Sequence, residues 1–312
     1  MTHPILGLHH VTATVDDAQD DLDFCLGVLG LRLVKKTVNF DNHNVYHFYY
    51  GDELGTPGTI WTTFPYKGHG VRAGTKGAGQ VVVTSFSVPA GSLEAWAERL
   101  ARQGVGSRRL APRFGDEVIA LDDPSGLSFE LVAGDRDPRQ PWTGRLEAES
   151  AIRGLHSVTL EVRDSEPTVA LMTEVLGYEV IETAGKRVRL AVGEEAPGHL
   201  IDVVAEADAE AAVNGIGTVH HVAMAIDNDE EQLRLREDLV SRGLMVTPVR
   251  DRSYFRSIYF REPGGVLFEV ATMRPGFTRD EAPEELGRAL RLPEWEEPHR
   301  AIIEAGLAPV TY

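Results

Sequence analysis

An α+β fold assembled from four copies of one strand-rich module is predicted by three observations. The chain repeats itself at two fixed offsets, each repeat opens on an alternating apolar strand pattern, and each opening strand is followed by a helix-period segment. Shifting residues 7–30 by 147 positions lays Gly7, Leu8, His9, Val11, Thr12, Val15, Asp17, Val28, Leu29 and Gly30 onto Gly154, Leu155, His156, Val158, Thr159, Val162, Asp164, Val175, Leu176 and Gly177. A shift of 139 lays Pro124, Gly126, Phe129 and Glu130 onto Pro263, Gly265, Phe268 and Glu269, and Leu100 and Gly104 onto Leu239 and Gly243. The modules run roughly over 5–66, 79–135, 152–206 and 216–273.

Within a module the order reads strand, helix, then about three strands. Val158 to Val162 and Val222 to Ile226 alternate with period 2, the mark of a half-buried strand. In the fourth module Glu230 to Arg242 sets Leu233, Leu235, Leu239 and Val240 among charges and stops at Gly243, a common residue just past a helix end. Ser257 to Phe260 and Val266 to Ala271 read as strands joined by the turn Glu262-Pro263-Gly264-Gly265. On the sequence, residues 1–145 hold the first pair of modules, 146–275 the second pair, and 276–312 a helical tail, with a helix expected at about Pro283 to Leu290 and a loose end. Gly68 to Gly79 is glycine-rich but lacks the Gly-Lys-Ser/Thr ending of a phosphate loop; it reads as a flexible connector that could cover a site.

A length of 312 residues with 42% hydrophobic content is enough for two packed domains. The formal charge of −17 repels phosphate backbones and anionic membranes, so neither nucleic acid nor a membrane surface is an expected partner. One cysteine, Cys25, cannot form an internal disulfide, and no apolar signal or spanning run is present, so a reducing cytoplasm is the expected location. Cys25 sits at helical spacing with Leu22, Leu26 and Leu29 and reads as core. Asp227 to Glu231 reads as a helix N-terminus and not as a calcium loop. The segment Trp295 to His299 suits packing on the core or on a second subunit of a homo-oligomer.

The repeat also acts as an internal control on candidate ligands. At the first-strand position the modules carry His10, Val82, Ser157 and His221; at the last-strand position modules two and four carry Glu130 and Glu269. Only pairing module one with module four assembles two imidazoles and a carboxylate, His10, His221 and Glu269, the ligand set of a non-haem ferrous site with open positions. The remaining pair would hold a degenerate set of Val82, Ser157 and Glu130, so one metal per chain is expected. Taken singly, a strand histidine is commonly a hydrogen-bonded structural residue, and a Phe-Glu-Val carboxylate can be neutralised by arginine. Neighbours on an ideal strand face opposite sides, so His9 and His10 should not both point inward, whereas Thr12 shares the face of His10. His9 recurs as His156 in a module without a complete set, which favours His10 and His221 over His9 and His220 as ligands.

Gly7-Leu8-His9-His10-Val11-Thr12, Lys35 to Asp41, Val45-Tyr46-His47, Tyr50-Gly51-Asp52, Pro57-Gly58-Thr59 and the last His-His and Phe-Glu motifs together resemble the vicinal oxygen chelate superfamily. Within it they resemble the hydroquinone-type ring-cleaving dioxygenases. The resemblance implies paired βαβββ modules forming two domains with cupped mixed sheets. It also implies Fe(II) held by His10, His221 and Glu269, with His9, Thr12, His220, Arg252 and Tyr259 around a small aromatic substrate that reacts with O2; Mn(II) uses the same ligands. Asn42-His43-Asn44 departs from the small and acidic residues of that family. Arg252 would favour a phenolate, His220 or His9 could move a proton, and Tyr259 could orient substrate or stabilise an oxyanion. As a surface residue Arg252 would instead pair with Asp251, and Tyr259 would be a rim aromatic.

Two further reaction classes use similar scaffolds. A glyoxalase-type lyase holds Ni or Zn with two carboxylates, whereas module one ends in Thr59-Ile60-Trp61-Thr62-Thr63-Phe64 and offers none. A metal-free binding protein would need no intact triad. In catechol extradiol enzymes the site lies within the C-terminal half, where this chain has Ser157.

Overall fold

The computed structural model describes residues 5–312, and every module has the expected element order. Module one comprises β1 (Ile5–Val15), α1 (Ala18–Leu22) running into a π-helical turn (Asp23–Val28), β2 (Arg32–Asn39), β3 (Asn42–Gly51) and β4 (Ile60–Pro65). Module two comprises β5 (Gln80–Pro89), α2 (Leu93–Arg102), β6 (Ser107–Arg109), β7 (Glu117–Asp122) and β8 (Ser128–Gly134). Module three has β9 (Gly154–Val162), α3 (Glu166–Glu174), β10 (Tyr178–Ala184), β11 (Arg187–Val192) and β12 (Leu200–Ala205). Module four has β13 (Thr218–Ile226), α4 (Asp229–Ser241), β14 (Arg250–Asp251), β15 (Arg256–Arg261) and β16 (Leu267–Thr272).

Two eight-stranded mixed sheets result. One runs β14-β15-β16-β13-β1-β4-β3-β2 and the other β10-β11-β12-β9-β5-β8-β7-β6, so each takes one module from either half of the sequence. At the centre of the first sheet β1 and β13 pair antiparallel, and each has its own module's last strand parallel on its outer side. This symmetric seam brings residues 211 positions apart into contact. Alternation then sorts the side chains of β1. Val11, Ala13 and Val15 enter the main core with Trp61, Phe86, Phe129 and the helix residues Leu22 and Phe24, while His10 and Thr12 face the other way into the cup.

Asn228 caps α4 by accepting from the Glu231 N–H, and Asp229, Glu230 and Glu231 follow in the first turn, as expected for a helix N-terminus. Cys25 is buried in the core. The glycine-rich connector does not border the cup's cavity: Ala73, Thr75 and Ala78 bridge to Ile216, Val213 and Ala211, tying the two inter-module connectors together.

The tail differs from its expected form. Pro283–Glu285 makes only a 3-10 turn, because Leu286 leaves the helical path to enter a buried cluster and Gly287 takes φ 79°. The tail's α-helix is α5 (Arg300–Gly306). Its end is tied down: Tyr46 Oη donates to the Ala308 carbonyl, the Thr311 N–H donates to Gln19 Oε1, and Tyr312 Oη donates to the Gly287 carbonyl.

Candidate metal centre

The register of the central seam contains the feature that builds the site. Along β1, Leu8 faces Met224 but His10 faces Ala223, so His9 is an extra residue; along β13, His221 faces Thr12 but Val219 faces Ala13, so His220 is extra. Each histidine pair therefore sits on a β-bulge, a device that re-aims side chains. The expected opposite facing of His9 and His10 does not hold. Their Nδ1 atoms lie 2.9 Å apart, and those of His220 and His221 lie 2.7 Å apart. Ideal strand neighbours could not touch in this way.

The Nδ1 contacts leave Nε2 of His10 and His221 to converge 3.2 Å apart. Glu269, beside Ala223 on β16, brings Oε2 to 3.3 Å from His10 Nε2 and 2.8 Å from His221 Nε2. Ser257 Oγ donates to the other oxygen, Oε1. Oε2 is buried and has no hydrogen-bonding donor, although both imidazole nitrogens are close. An orphaned carboxylate oxygen and two Nε2 atoms aimed at one point are what a divalent cation would satisfy. Among the described residues, these three are the one cluster of His, Cys, Asp or Glu side chains drawn together tightly enough to hold an ion. Burial pushes the Glu269 carboxyl up, and positive charge on His10 and His221, when they are protonated, outweighs it and holds it well below the usual range. Burial, and then the adjoining ring, bring both His9 and His220 down to about 3, so each partner ring is neutral. A neutral His9 can accept from the His10 Nδ1–H, as His220 can from the His221 Nδ1–H, which fixes the tautomer that presents Nε2 as ligand.

A cavity of about 220 Å3 opens in front of the triad. Its wall includes Thr12, His47, His220, Arg252 and Tyr259 on the polar side and Phe40, Phe64 and Phe255 on the apolar side. This is smaller than pockets for drug-sized ligands, about 300–1,000 Å3, and suits a single ring. His9 is absent from the wall; its ring packs on Phe255 at 4.9 Å, behind His10. Arg252 turns inward and does not take Asp251 as partner. Its Nε donates to Tyr259 Oη at 3.0 Å, its Nη2 lies 3.2 Å from Asp41 of module one, and Asp251 instead accepts from the Ser253 N–H. Burial lowers the Arg252 pKa, but Tyr259 and Asp41 outweigh it and raise it. Sequence reading missed Asp41 and His47, which come from the β2–β3 hairpin; both lie in the segments that carried the resemblance, but no spacing rule ties them to the histidine pairs.

The other sheet has the same seam without the chemistry. Val82 is the extra residue there, as His220 is in the first sheet, so Val83, opposite Thr159, stands where His221 stands opposite Thr12. The equivalence of Val82 with His221 is off by one residue, because the opening strands of modules two and four are offset by 138 positions and their last strands by 139. Ser157 and Glu130 occupy the remaining ligand positions as expected. Glu130 accepts from Ser85 Oγ and Arg113, and Asp202 from Arg187 and Arg189. Guanidinium groups there supply the positive charge that a cation would supply in the first cup.

The model of the Glyoxalase/Bleomycin resistance protein/Dioxygenase superfamily matches residues 7–131 and 154–270. This chain belongs to that superfamily. It is 43% identical over 310 residues to MhqO of Bacillus subtilis (strain 168), a protein provisionally named a ring-cleaving dioxygenase, covering 99% of this chain and 98% of that one. It is 38% identical over 295 residues to the chlorohydroquinone/hydroquinone 1,2-dioxygenase of Sphingobium indicum, covering 92% and 91%. A crystal structure of a provisionally named Bacillus subtilis dioxygenase superposes with a TM-score of 0.95 at 43% identity, covering 99% of each chain. Maize glyoxalase I, at 16% identity and a TM-score of 0.64 over 85% of this chain and 92% of its own, shares the fold. No helix among the described residues is long and apolar enough to cross a membrane.

Proposed function

We propose that this superfamily member is a cytoplasmic Fe(II)-dependent dioxygenase that inserts both atoms of O2 into the ring of a hydroquinone-like dihydroxylated aromatic. The observation that carries the reading is the three-atom convergence of His10 Nε2, His221 Nε2 and Glu269 Oε2 at a cavity sized for one ring. When bound, a ferrous ion with three protein ligands would offer open positions for a phenolate oxygen and O2 together and pass electron density between them. The relatives named as ring-cleaving dioxygenases, one of them for hydroquinones, support the same reading. Against a lyase stands Thr62, which faces the cup beside Thr12 where a fourth, carboxylate ligand would be needed.

The chain's own groups fit phenolate chemistry. Arg252, held by Tyr259 and Asp41, places a fixed cation on the cavity wall and favours the ionised phenol. Tyr259 Oη accepts from Arg252, so its own proton is available to a substrate oxygen. His220, with Nδ1 engaged by His221, offers the opposite edge of its ring on the wall as a hydrogen-bonding group. Phe40, Phe64 and Phe255 line the same cavity and offer apolar faces against which an aromatic ring would pack.

After anaerobic reconstitution with Fe(II), oxygen uptake is expected to match loss of the aromatic absorbance band one for one, with hydroquinone or chlorohydroquinone preferred to catechol. Turnover of the methylglyoxal–glutathione adduct without oxygen, stimulated by Ni or Zn, would instead establish a lyase. Arg252→Lys keeps the charge but cannot span Tyr259 and Asp41 together. We expect kcat/KM to fall about 10–100-fold and the acidic limb of the kcat pH profile to rise by about one unit, because the bound phenol ionises less readily. An unchanged profile would remove Arg252 from substrate ionisation.

A further inference from the structure

The wall facing Glu269 carries a polar chain that the proposed reaction leaves unused. Glu269 lies beside Ala223 and opposite Tyr259; across the seam, Thr62 lies beside Thr12 and opposite Tyr49. Thr62 is thus the symmetry mate of Glu269. Two residues before each tyrosine, His47 is likewise the mate of Ser257. Where Ser257 donates to Glu269, His47 Nε2 lies 2.8 Å from Thr62 Oγ1, and Thr62 Oγ1 donates to Thr12 Oγ1 at 2.9 Å. Thr12 and Thr62 are fully buried and His47 nearly so, its ring clamped between Tyr49 at 4.0 Å and Phe64 at 4.2 Å.

Counting protons gives this chain a direction. Burial and then the nearby His10 hold His47 well below its ordinary pKa, so the ring is neutral and carries one N–H. Thr62 spends its only proton on Thr12, so its oxygen accepts from the His47 Nε2–H. Thr12 accepts from Thr62, and its own proton is used on neither neighbour. Thr12 lies on the cavity wall.

We propose that His47 and Thr62 form a relay that fixes the Thr12 hydroxyl as a hydrogen-bond donor to an oxygen of the ligand in this cavity. His47 and Thr62 are positioning residues; Thr12 makes the contact. The relay rests on the diphenol reading above and deepens it: beside Arg252 and Tyr259 it gives the cavity a third donor, and together they select an oxyanion over a ligand that offers only N–H groups.

Anaerobic calorimetric titration of the Fe(II)-loaded protein with hydroquinone tests it without turnover. Thr62→Val, isosteric but without the hydroxyl, is expected to weaken binding about three- to tenfold, the worth of one hydrogen bond. Thr62→Ser should restore affinity to within about twofold, and His47→Gln, which keeps a donor at the ε position, should lose less than His47→Leu. In a Thr12→Val background, Thr62→Val should cost nothing more, because the relay acts only through Thr12. An equal loss in both backgrounds would show a merely structural effect and overturn the relay, as would wild-type affinity in Thr62→Val. Either result leaves the diphenol reading standing, whereas a wild-type protein that binds no hydroquinone would refute both.

Discussion

Glu269→Gln is expected to leave the protein folded and nearly free of iron, with ring cleavage reduced by more than the 10–100-fold typical of residues one shell out. The substitution preserves shape and the Ser257 contact but removes the charge that His10 and His221 converge upon. His221→Ala should do the same by removing one of two Nε2 donors. Metal analysis after anaerobic Fe(II) loading should read about one iron per wild-type chain and less than about a tenth in either variant, the remaining ligands being too few for a closed set. Circular dichroism would confirm the fold. Glu130→Gln in the other cup is the matched control: its carboxylate is held by Arg113 and Ser85, so iron content should not change. Full iron retention and turnover in Glu269→Gln would place the metal elsewhere.

How far this site could be read from sequence follows from its physics. Duplication writes equivalent positions at a fixed offset, so His10, His221 and Glu269 were legible as the one complete combination among four modules, and the topology joins modules one and four as that combination requires. The bulges were not legible. An extra residue in a strand leaves no trace in composition or alternation, yet it turns His9 and His220 onto their neighbours. Also illegible was the one-residue difference in module length that makes Val83, not Val82, the equivalent of His221. Partnerships across the seam were equally silent. Arg252 has an acidic neighbour at Asp251 but bonds Asp41, 211 positions away, because β-sheet closure and not chain proximity decides which charges meet. Thr62 was noted only as a missing carboxylate; its bond to Thr12 appears once the register sets β4 beside β1.

The tail shows the same limit on a larger energy scale, and it yields the largest expected effect on stability. Lys35 on β2 is fully buried; its Nζ donates to Asp280 at 2.5 Å, to Glu281 and to the Phe277 carbonyl at 3.2 Å, and lies 4.8 Å above the Tyr254 ring. Lys35→Met would strand the buried Glu281 carboxylate with only Arg291, 3.4 Å away, beside it. Removing one partner of a buried pair costs about 3–5 kcal/mol, because the other keeps its desolvation penalty without compensation. Thermal unfolding is therefore expected about 10 °C lower. Replacing both residues, Lys35→Met with Glu281→Leu, should recover most of the loss, since no buried charge is then left unpaired. Function should follow through Tyr254, whose hydroxyl donates to Asp280 and whose neighbour Phe255 packs 5.2 Å from the His10 ring. If the tail clamps that wall, limited proteolysis of Lys35→Met should cut within 276–290 before any module, and KM should rise more than kcat falls, because cavity shape is lost while the triad remains. A Lys35→Met protein with wild-type melting temperature and proteolytic pattern would show that the tail is held by its apolar contacts alone.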